Sequence, residues 1–417
     1  MQRRQFLLAA AAAGSGKTIL LRSGWQSVNI GDIAHTPGVL QLIEKHIPDA
    51  AVILNCNALD RGVEPMLRKY FPRLEFVRGD GVEKTAQFDT AELKEAAARA
   101  HLLLHGSGPS TMGRIGLMTA WRKASAKPYG YFGVGVTLPG QIAAEQTDGR
   151  ALELIRHSRF TFTRETKSLE NLRARQIQGP EMGFVPDGVF SFTKSDDALG
   201  DEVLRQHGLE DGKFICVIPR LRLTPYHKIR AVSWGPEETQ RRTRINEANQ
   251  EKDHAKFREV IVAWVRQTGG KVYICPEMTY ELDIQEPLLY AALPEDVKKR
   301  VILRKSFWLP DEAASVYRRA AAVVSFECHS PIIAAAQGTP CVYVHQPEDG
   351  IKVRMWDDVG LGEWKFEVEE TTGAAIAAAI LRIGSKLPAA RRKVRAATEK
   401  AQAIQAKRMG FVRRVLG

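Results

Sequence analysis

The chain has no long apolar run, which sets a first limit on what it can be. No apolar stretch in its 417 residues reaches the roughly 20 residues that a helix needs to cross a bilayer. The hydrophobic residues, 44% of the total, are spread over short runs, and charged residues make up 26%, as is usual for a globular protein. The sequence therefore predicts no transmembrane segment, and its length has room for two α/β domains.

Cysteine is also scarce. The five cysteines, at positions 56, 216, 275, 328 and 341, are scattered and odd in number, so they predict neither a disulfide framework nor a metal-binding spacing. Cys216, Cys275 and Cys341 lie in apolar runs typical of buried strands, and we interpret them as free thiols of the core. The sequence thus predicts no metal centre.

Motifs for nucleic-acid binding are missing too. The chain has neither zinc-finger spacing nor a repeated basic–aromatic pattern, which makes nucleic acid the weaker choice of partner. A net charge of +12 and a pI near 9.5 favour an anionic ligand such as a phosphate, a carboxylate or an acidic polysaccharide.

The amino terminus resembles an export signal. Residues 1–16 carry the pair Arg3-Arg4, the apolar Phe6–Leu8 and a run of alanines, which is the twin-arginine pattern. We predict export to the periplasm, with a cytoplasmic location as the alternative, and we exclude this segment from the fold.

Strand-like and helix-like patterns alternate from residue 18 onward, which is typical of doubly wound parallel sheets. We predict an α/β fold of two Rossmann-like domains with mainly parallel sheets that face a cleft. The predicted parts are an N-terminal domain at 17–197, a linker at 198–212 and a C-terminal domain at 213–417 that contains an irregular charged insertion at 223–254 and ends in basic helices. Because a long irregular insertion is usually a lid or a disordered segment, this one could supply mobile positive charge over the cleft.

The most informative stretch is Ala320–Tyr343. An apolar run at Ala321–Phe326 predicts a buried strand, and Pro331–Gln337 predicts a closely packed helix. His329 and Ser330 lie between them, where the carboxyl end of a parallel strand meets the start of a helix and ligands commonly bind. An imidazole at such a place can transfer protons near neutral pH; a structural histidine is the alternative interpretation.

Polar and glycine residues follow other strands of the first domain. Asn29 and Asp32 come after the first strand, where one could cap the next helix and another could face a ligand. Gly106 and Gly108 would allow a ligand to approach the backbone, although a plain tight turn explains them equally well. Arg164, at the start of a helix, could bind an anion.

Charged residues follow the strands of the second domain as well. Arg220 and Arg222 come directly after the strand Phe214–Ile218 and suit bidentate capture of a carboxylate or phosphate; a solvated loop is the alternative. Glu277 stands at the end of the strand Lys271–Cys275.

The order of these segments and the residues in them resemble those of the polysaccharide pyruvyl transferase family. The matching residues are Asn29-Ile-Gly31-Asp32, Gly106-Ser-Gly108, Gly133-Val-Gly135, Arg164-Glu165 with Ser168, Pro186-Asp187, Cys328-His329-Ser330 with Ala334–Pro340, and Lys352 followed by Val359-Gly-Leu361. The resemblance implies two Rossmann-like domains that face a cleft, as in GT-B glycosyltransferases. It also implies transfer of the enolpyruvyl group of phosphoenolpyruvate to a sugar of a cell-surface polysaccharide, as a pyruvate ketal.

The resemblance also implies roles for individual residues. His329 would be the general acid or base, Arg220 and Arg222 would bind the donor's carboxylate and phosphate, and Asn29 and Asp32 would face the acceptor sugar. Phosphoenolpyruvate would be a co-substrate, and neither a cofactor nor a metal ion is expected. Glu327 departs from the pattern, because the family usually carries an arginine two residues before the histidine.

Two other functions are compatible with the same architecture. One is a GT-B-type glycosyltransferase that uses a nucleotide sugar, with the same cleft and similar arginines. The other is a non-catalytic, exported carbohydrate-binding protein. In all three cases the predicted partners are a sugar or polysaccharide and, for the two enzymes, a small anionic donor.

Overall fold

The computed structural model describes residues 16–112, 115–142, 146–232 and 234–417. All but the last residue of the predicted signal segment lie outside these ranges. The described residues form two parallel sheets, each flanked by helices, and a two-stranded antiparallel hairpin. The predicted α/β fold with two Rossmann-like parallel sheets is therefore confirmed.

The first sheet has seven strands in the order β3-β2-β1-β6-β7-β8-β9, all parallel. The strands of the N-terminal domain, including the hairpin β4–β5, are β1 Thr18–Arg22, β2 Ala51–Asn55, β3 Glu75–Val77, β4 Gly81–Val82, β5 Gln87–Phe88, β6 Leu102–His105, β7 Tyr129–Val134, β8 Phe160–Thr163 and β9 Glu181–Phe184.

The second sheet has six strands in the order β12-β11-β10-β13-β14-β15, again all parallel. Its strands are β10 Phe214–Ile218, β11 Lys271–Ile274, β12 Val301–Leu303, β13 Ala322–Ser325, β14 Cys341–His345 and β15 Lys365–Glu367. The central strands β10, β13 and β14 are almost wholly apolar because helices cover both faces of the sheet.

The helices of the first half are α1 Ile30–His46, α2 Val63–Tyr70, α3 Ala91–Arg99, α4 Ile115–Ala124, α5 Gly149–His157, α6 Thr166–Ala174 and α7 Asp197–His207. Those of the second half are α8 Tyr226–Ile229, α9 Pro236–Thr268, α10 Glu281–Gln285, α11 Glu295–Lys298, α12 Pro310–Arg319, α13 His329–Ala336, α14 Arg354–Val359, α15 Gly373–Ser385 and α16 Leu387–Leu416.

The prediction that residues 223–254 are irregular is wrong for their second half. Residues 236–254 form the first part of α9, which continues without a break to Thr268. Pro236 at the first turn and Glu237 and Glu238 beside the positive end of the helix dipole are favourable helix-start residues. The many charged residues of this stretch therefore lie on a helix that is largely exposed to solvent.

Helix α1 also begins earlier than its proline suggests. Because proline is favoured in the first turn of a helix, the sequence predicts a helix start at Pro37, but α1 starts at Ile30 and continues through Pro37. The side chain of Asn29 accepts hydrogen bonds from the backbone N–H groups of Gly31 and Asp32, which caps the helix, and nearly all residues of its first three turns are buried. Packing thus outweighs the cost of a proline inside the helix.

Two helices connect the domains. The first half of α16 packs into the C-terminal core through residues such as Val394 and Ala401, whereas Met409 and Val412 belong to the N-terminal core. Helix α1 follows the first strand of the N-terminal sheet, yet Ile30 and Ala34 lie in the core of the C-terminal domain. The cleft between the sheets therefore has a firmly packed floor.

Within the described ranges, no helix taken singly has both the length and the apolar character to cross a membrane. By length and composition alone, the pair α15 and α16, bent by 99°, meets the criterion when the two are counted together.

Candidate active site

A cavity of about 910 Å³ lies between the two sheets, at the carboxyl ends of their strands. The sequence-predicted site residues that line it are Asn29, Asp32, Arg164, Arg220, Arg222, His329 and Lys352. The predicted residues Gly106, Gly108, Glu277 and Ser330 are not among its lining residues. Most of the predicted residues are therefore brought together from both halves of the chain, as expected for ligand sites of parallel sheets.

The floor of the cavity is a backbone contact between the domains. Asn29 and Met278 form an antiparallel β-bridge; the N–H of Ile30 donates to the carbonyl of Glu277 at 3.0 Å, and the N–H of Thr279 donates to the carbonyl of Val28 at 3.0 Å. Because these hydrogen bonds are backbone to backbone, they fix the start of α1 against the end of β11 independently of the side chains.

His329 lies on this floor as the first residue of α13. Its side chain is 9% exposed, with Nδ1 3.6 Å from Oε1 of Glu277 and Nε2 3.8 Å from Oδ2 of Asp187. Burial favours the neutral ring, but the neighbouring Cys328, Asp187 and Glu277 outweigh burial and raise the pKa of His329 well above its ordinary value. The imidazole is therefore positioned as a proton donor at neutral pH.

The two carboxylates beside His329 are themselves fixed. Although burial opposes ionisation, His35 and His329 hold the pKa of Asp187 well below its usual range, and His329 and the N–H of Ser330 also lower that of Glu277. Oε2 of Glu277 accepts the N–H of Ser330 at 2.5 Å, while the hydroxyl of Ser330 accepts a hydrogen bond from Tyr317. Glu277 and Ser330, which do not line the cavity, thus help to orient His329.

His35 extends this network into the N-terminal domain. It is fully buried, its Nδ1 lies 3.1 Å from Oδ1 of Asp187 and 3.0 Å from Oγ of Ser107, and its ring meets that of His329 edge-on at 4.7 Å. Ser107 also donates to Asp187. An alternating chain of acids and imidazoles therefore crosses the domain boundary.

His35, Asp187 and His329 are also a geometric candidate for a metal ion, since one ligand atom of each lies within 4.8 Å of the others. Asp187 already accepts hydrogen bonds from Ser107 and from the N–H of Val189, and its carboxylate pairs with both rings. We therefore interpret the cluster as a network of hydrogen bonds and ion pairs among the protein's own side chains, in which Nε2 of His35 and Nε2 of His329 have no hydrogen-bond partner among the described residues.

Arg164 and Glu165 form one charged wall of the cavity. Nε of Arg164 is 3.4 Å from Oε2 of Glu165, and Nη1 is 3.4 Å from Oδ2 of Asp187. Burial raises the pKa of Glu165 to about 7, although Arg164 and Ser168 lower it. Nε of Arg164 has no hydrogen-bond partner within the described ranges, so this buried guanidinium can donate a further hydrogen bond to a ligand.

Arg220 and Lys352 form a second cationic group around Asp349. Arg220 Nη1 and Lys352 Nζ both pair with Oδ1 of Asp349, and Nε of Arg220 lies 3.0 Å from Oε1 of Glu327. Arg222, in contrast, makes bidentate bonds to Asp253 on α9 at 2.7 and 2.9 Å. The two arginines predicted as a matched pair therefore have different surroundings.

The glycine and asparagine candidates have structural roles. A Cβ on Gly106 would lie 3.2 Å from Leu21 and closer still to Ser23, and one on Gly108 would lie 2.9 Å from the nitrogen of Gly24. These glycines therefore allow two adjacent loops of the N-terminal sheet to touch. Asn29 lines the cavity, but its amide oxygen caps α1.

The first part of the insertion reaches across the cleft. Nη1 of Arg230 donates to Oε1 of Gln26 at 3.0 Å, and Nε2 of Gln26 donates to the hydroxyl of Tyr226 at 3.3 Å and to the carboxylate of Asp32. The insertion thus covers one side of the cavity, in line with the expected lid.

Among the site residues that the sequence did not predict are His35, Asp187, Glu327 and Asp349. Asp187 and Glu327 were visible as a motif residue and as a departure from the family pattern. His35 lies inside a helix and Asp349 in a short 3-10 helix, and no local pattern in the sequence marks either of them as part of a cleft.

The two facing parallel sheets with a cleft at their carboxyl ends define a GT-B-like architecture. The profile of the family described as polysaccharide pyruvyl transferase matches residues 29–345, which is most of the chain. The chain belongs to the polysaccharide pyruvyl transferase family, and the resemblance read from its motifs is confirmed. This membership makes it a transferase that modifies polysaccharides.

Solved structures of the same architecture confirm the fold at low sequence identity. The S. aureus MnaA–UDP structure is 10% identical with a TM-score of 0.56, covering 92% of this chain and 94% of that one. UDP-GlcNAc 2-epimerase of Neisseria meningitidis bound to UDP-GlcNAc is 12% identical with a TM-score of 0.53, covering 94% and 100%. HepE of Anabaena with UDP and glucose is 12% identical with a TM-score of 0.52, covering 95% and 96%. No curated protein matches the chain significantly in sequence.

Proposed function

We propose that this protein transfers the enolpyruvyl group of phosphoenolpyruvate to two hydroxyls of a polysaccharide sugar, forming a pyruvate ketal and releasing phosphate. The single observation that carries the proposal is the place of His329: a charged imidazole on the floor of an arginine-lined cavity between the two domains of a member of this family. No cofactor or metal ion is needed for this scheme.

His329 is the general acid of the proposed reaction. Protonation of the vinyl carbon converts the donor's methylene into a methyl group and leaves an electron-poor carbon that the first sugar hydroxyl attacks. Departure of phosphate and attack by the second hydroxyl close the ketal. Of the two hydroxyl protons, one replaces the proton spent by His329 and the other leaves with phosphate, so the protein is regenerated.

The donor's charges would be bound by cations from both domains. Arg164 lines the cavity from the N-terminal side, and Arg220 and Lys352 line it from the C-terminal side. The donor is a trianion when fully ionised, and cations that face one small cavity stabilise both the bound donor and the phosphate that leaves. The acceptor sugar would lie on the side of Asp32 and Gln26, under the insertion.

The direct test measures transfer of pyruvate from phosphoenolpyruvate to a panel of bacterial surface glycans. Replacement of the acid should lower the rate by about 100- to 10,000-fold while leaving the fold intact. We therefore expect His329→Ala to abolish ketal formation with an unchanged circular dichroism spectrum. Full activity in this variant would exclude the assigned acid.

A nucleotide-sugar glycosyltransferase is the second candidate, because the structural neighbours are described with UDP or UDP-sugars bound in this architecture. A non-catalytic carbohydrate-binding protein is the third. A thermal-shift screen with phosphoenolpyruvate, nucleotide sugars and acidic glycans separates them, since a ligand stabilises the protein it binds. Stabilisation by nucleotide sugars alone would replace the proposed donor, and stabilisation by glycans alone would favour the binding protein.

We also propose that residues 1–16 direct export through the twin-arginine route, with a cytoplasmic location as the alternative. Because phosphoenolpyruvate is a cytoplasmic metabolite, export would favour the non-catalytic carbohydrate-binding protein, and a cytoplasmic location the pyruvyl transfer. Changing Arg3→Lys together with Arg4→Lys should then retain the protein in the cytoplasm. Cytoplasmic wild-type protein whose mature N-terminus is still Met1 would favour the alternative.

A further inference from the structure

The buried ion pair Arg220–Glu327 of the cavity is weakly fixed, as is the pair Arg164–Glu165. Arg220 is 9% exposed and Glu327 is 5% exposed, and their charged atoms are 3.0 Å apart. Nε of Arg220 and Oε1 of Glu327 nevertheless each lack a hydrogen-bond partner, so the contact is not a well-aligned bond. Buried polar atoms of this kind indicate a partner that is exchanged or added when a ligand binds.

The second acid on Arg220, Asp349, is fixed from all sides. Its carboxylate accepts hydrogen bonds from the hydroxyl of Tyr343 at 2.7 Å and from the N–H of Gln346 at 3.0 Å, and it pairs with Lys352 at 2.7 Å. A ligand cannot displace Asp349 without breaking all of these contacts. Glu327 is therefore the displaceable partner of Arg220.

Glu327 is also crowded by other acids. The charged and titratable groups that act on it from the surrounding elements are Arg220 after β10, Tyr226 of the insertion, Glu277, Tyr280 and Glu281 after β11, and Asp349 and Lys352 after β14. Glu277 and Glu281 carry no positive charge that could stabilise the carboxylate of Glu327. The carboxylates of this group instead repel one another, which opposes a negative charge on Glu327.

We propose that Glu327 is an internal stand-in for the anionic donor: its carboxylate occupies Arg220 in the free protein, and a bound anion takes its place as Glu327 takes up a proton. This inference rests on the proposed function only in placing an anionic ligand at Arg220. It makes Glu327 the residue that decides at which pH the cavity accepts an anion. It also explains how a glutamate can stand beside an anion site where the family usually has an arginine.

The protonation step is accessible near neutral pH. Burial and the nearby Glu277 raise the pKa of Glu327 to about 7, although Arg220 and Lys352 act in the opposite direction. An anion on Arg220 removes that favourable partner and raises the pKa further. Affinity should therefore be constant below about pH 7 and should fall about tenfold per pH unit above it, because each anion bound takes up one proton.

Sulfate is the best probe, because it stays a dianion throughout this range and cannot supply or take the proton itself. We expect calorimetric titrations of the full chain at about pH 8, in buffers of different ionisation enthalpy, to show uptake of close to one proton per sulfate bound. Absence of sulfate binding, or binding without proton uptake in the wild type, would overturn the inference.

Two variants locate the proton. Glu327→Gln should bind sulfate without proton uptake and with a flat pH profile, and it should bind about tenfold more tightly than wild type at pH 8. Glu165→Gln is the matched control, since the pKa of Glu165 is also raised to about 7 beside a cavity arginine. Proton uptake lost in Glu165→Gln but retained in Glu327→Gln would assign the proton elsewhere and refute the role of Glu327.

The outcome also separates this inference from the proposed reaction. Sulfate binding linked to Glu327, together with no pyruvate transfer to any glycan, would remove the reaction and keep the anion site. Pyruvate transfer with no proton uptake on sulfate binding would refute the role of Glu327 and keep the proposed reaction. Thermal unfolding of each variant, compared with wild type, shows that the protein measured is folded.

Discussion

Gly31 and His329 touch across the domain boundary, with no room between them for a side chain. A Cβ on Gly31 would lie 2.7 Å from Nδ1 of His329 and closer still to its Cβ and Cγ. Gly31 belongs to the first turn of α1, and His329 starts α13. The candidate acid is therefore positioned by the backbone of the opposite domain as well as by its acidic neighbours.

This contact makes Gly31→Ala a test of positioning. The added methyl group must push His329 or α1 aside, which should cost about 1–3 kcal/mol of stability and lower transfer activity more than donor affinity. Gly410→Ala is the control, because Gly410 lies inside α16 with nothing within 4 Å of an added Cβ. There we expect a gain of about 0.5–1 kcal/mol and unchanged activity. Equal behaviour of the two variants would mean that the close contact is unimportant.

Asp187→Asn should change the charge state of His329. The carboxylate of Asp187 helps to raise the pKa of the imidazole, so its loss lowers that pKa and the acid form disappears at lower pH. We expect the alkaline limb of the pH–activity profile to move towards lower pH. The variant should also lose about 3–5 kcal/mol of stability, because it breaks a buried charge network.

The control for this variant is Asp253→Asn. Asp253 is equally buried and pairs with Arg222, outside the His329 network. It should lose stability by the same mechanism while the alkaline limb of the profile stays where it is. A profile that moves in both variants would point to a general electrostatic effect instead of the contact with His329.

Much of the fold was predictable because its signals are local. Apolar runs that end in glycine, proline or charge marked the central strands. The strand at Ala321–Phe326 and the helix at Pro331–Gln337 were predicted within about two residues of the structure. The start of α1 was not predicted, because Pro37 is a strong local signal for a helix start and the packing that outweighs it comes from the other domain.

The site was predictable only in part, for a physical reason. A sequence shows which residues follow a strand, so His329, Arg220 and Lys352 could be placed at one sheet edge. It does not show which charges meet there, and the pairing of Arg220 with Glu327 and Asp349 joins residues more than 100 positions apart. Arg222 shows the same limit, since only the fold turns it towards α9.

Because Arg222 and Lys352 have different surroundings in the cavity, we expect replacement of Arg222 to lower stability and replacement of Lys352 to lower sulfate affinity. Arg222→Gln should cost about 3 kcal/mol of stability in urea unfolding, because it leaves the buried Asp253 without its partner, and should leave sulfate affinity unchanged. Lys352→Gln should weaken sulfate binding about tenfold or more, since it removes a charged donor from the cavity. If Arg222→Gln weakens sulfate binding as much as Lys352→Gln does, then Arg222 binds the anion directly, as first inferred from the sequence.

The contact between Arg230 and Gln26 predicts that the first part of the insertion, residues 226–232, opens independently of the core. Arg230→Ala removes the 3.0 Å hydrogen bond to the N-terminal domain, and we expect faster proteolysis within residues 226–232 and a higher KM for the acceptor glycan, with no loss of thermal stability. In a double-mutant cycle on the free energy of local opening, obtained from the proteolysis rates, Gln26→Ala should couple to Arg230→Ala by about 0.5–1.5 kcal/mol, the value of one hydrogen bond. Arg241→Ala should show no coupling to Gln26→Ala, because Arg241 pairs with Glu238 within α9. A closed insertion in the Arg230→Ala variant would show that the packing of Tyr226 alone keeps it in place.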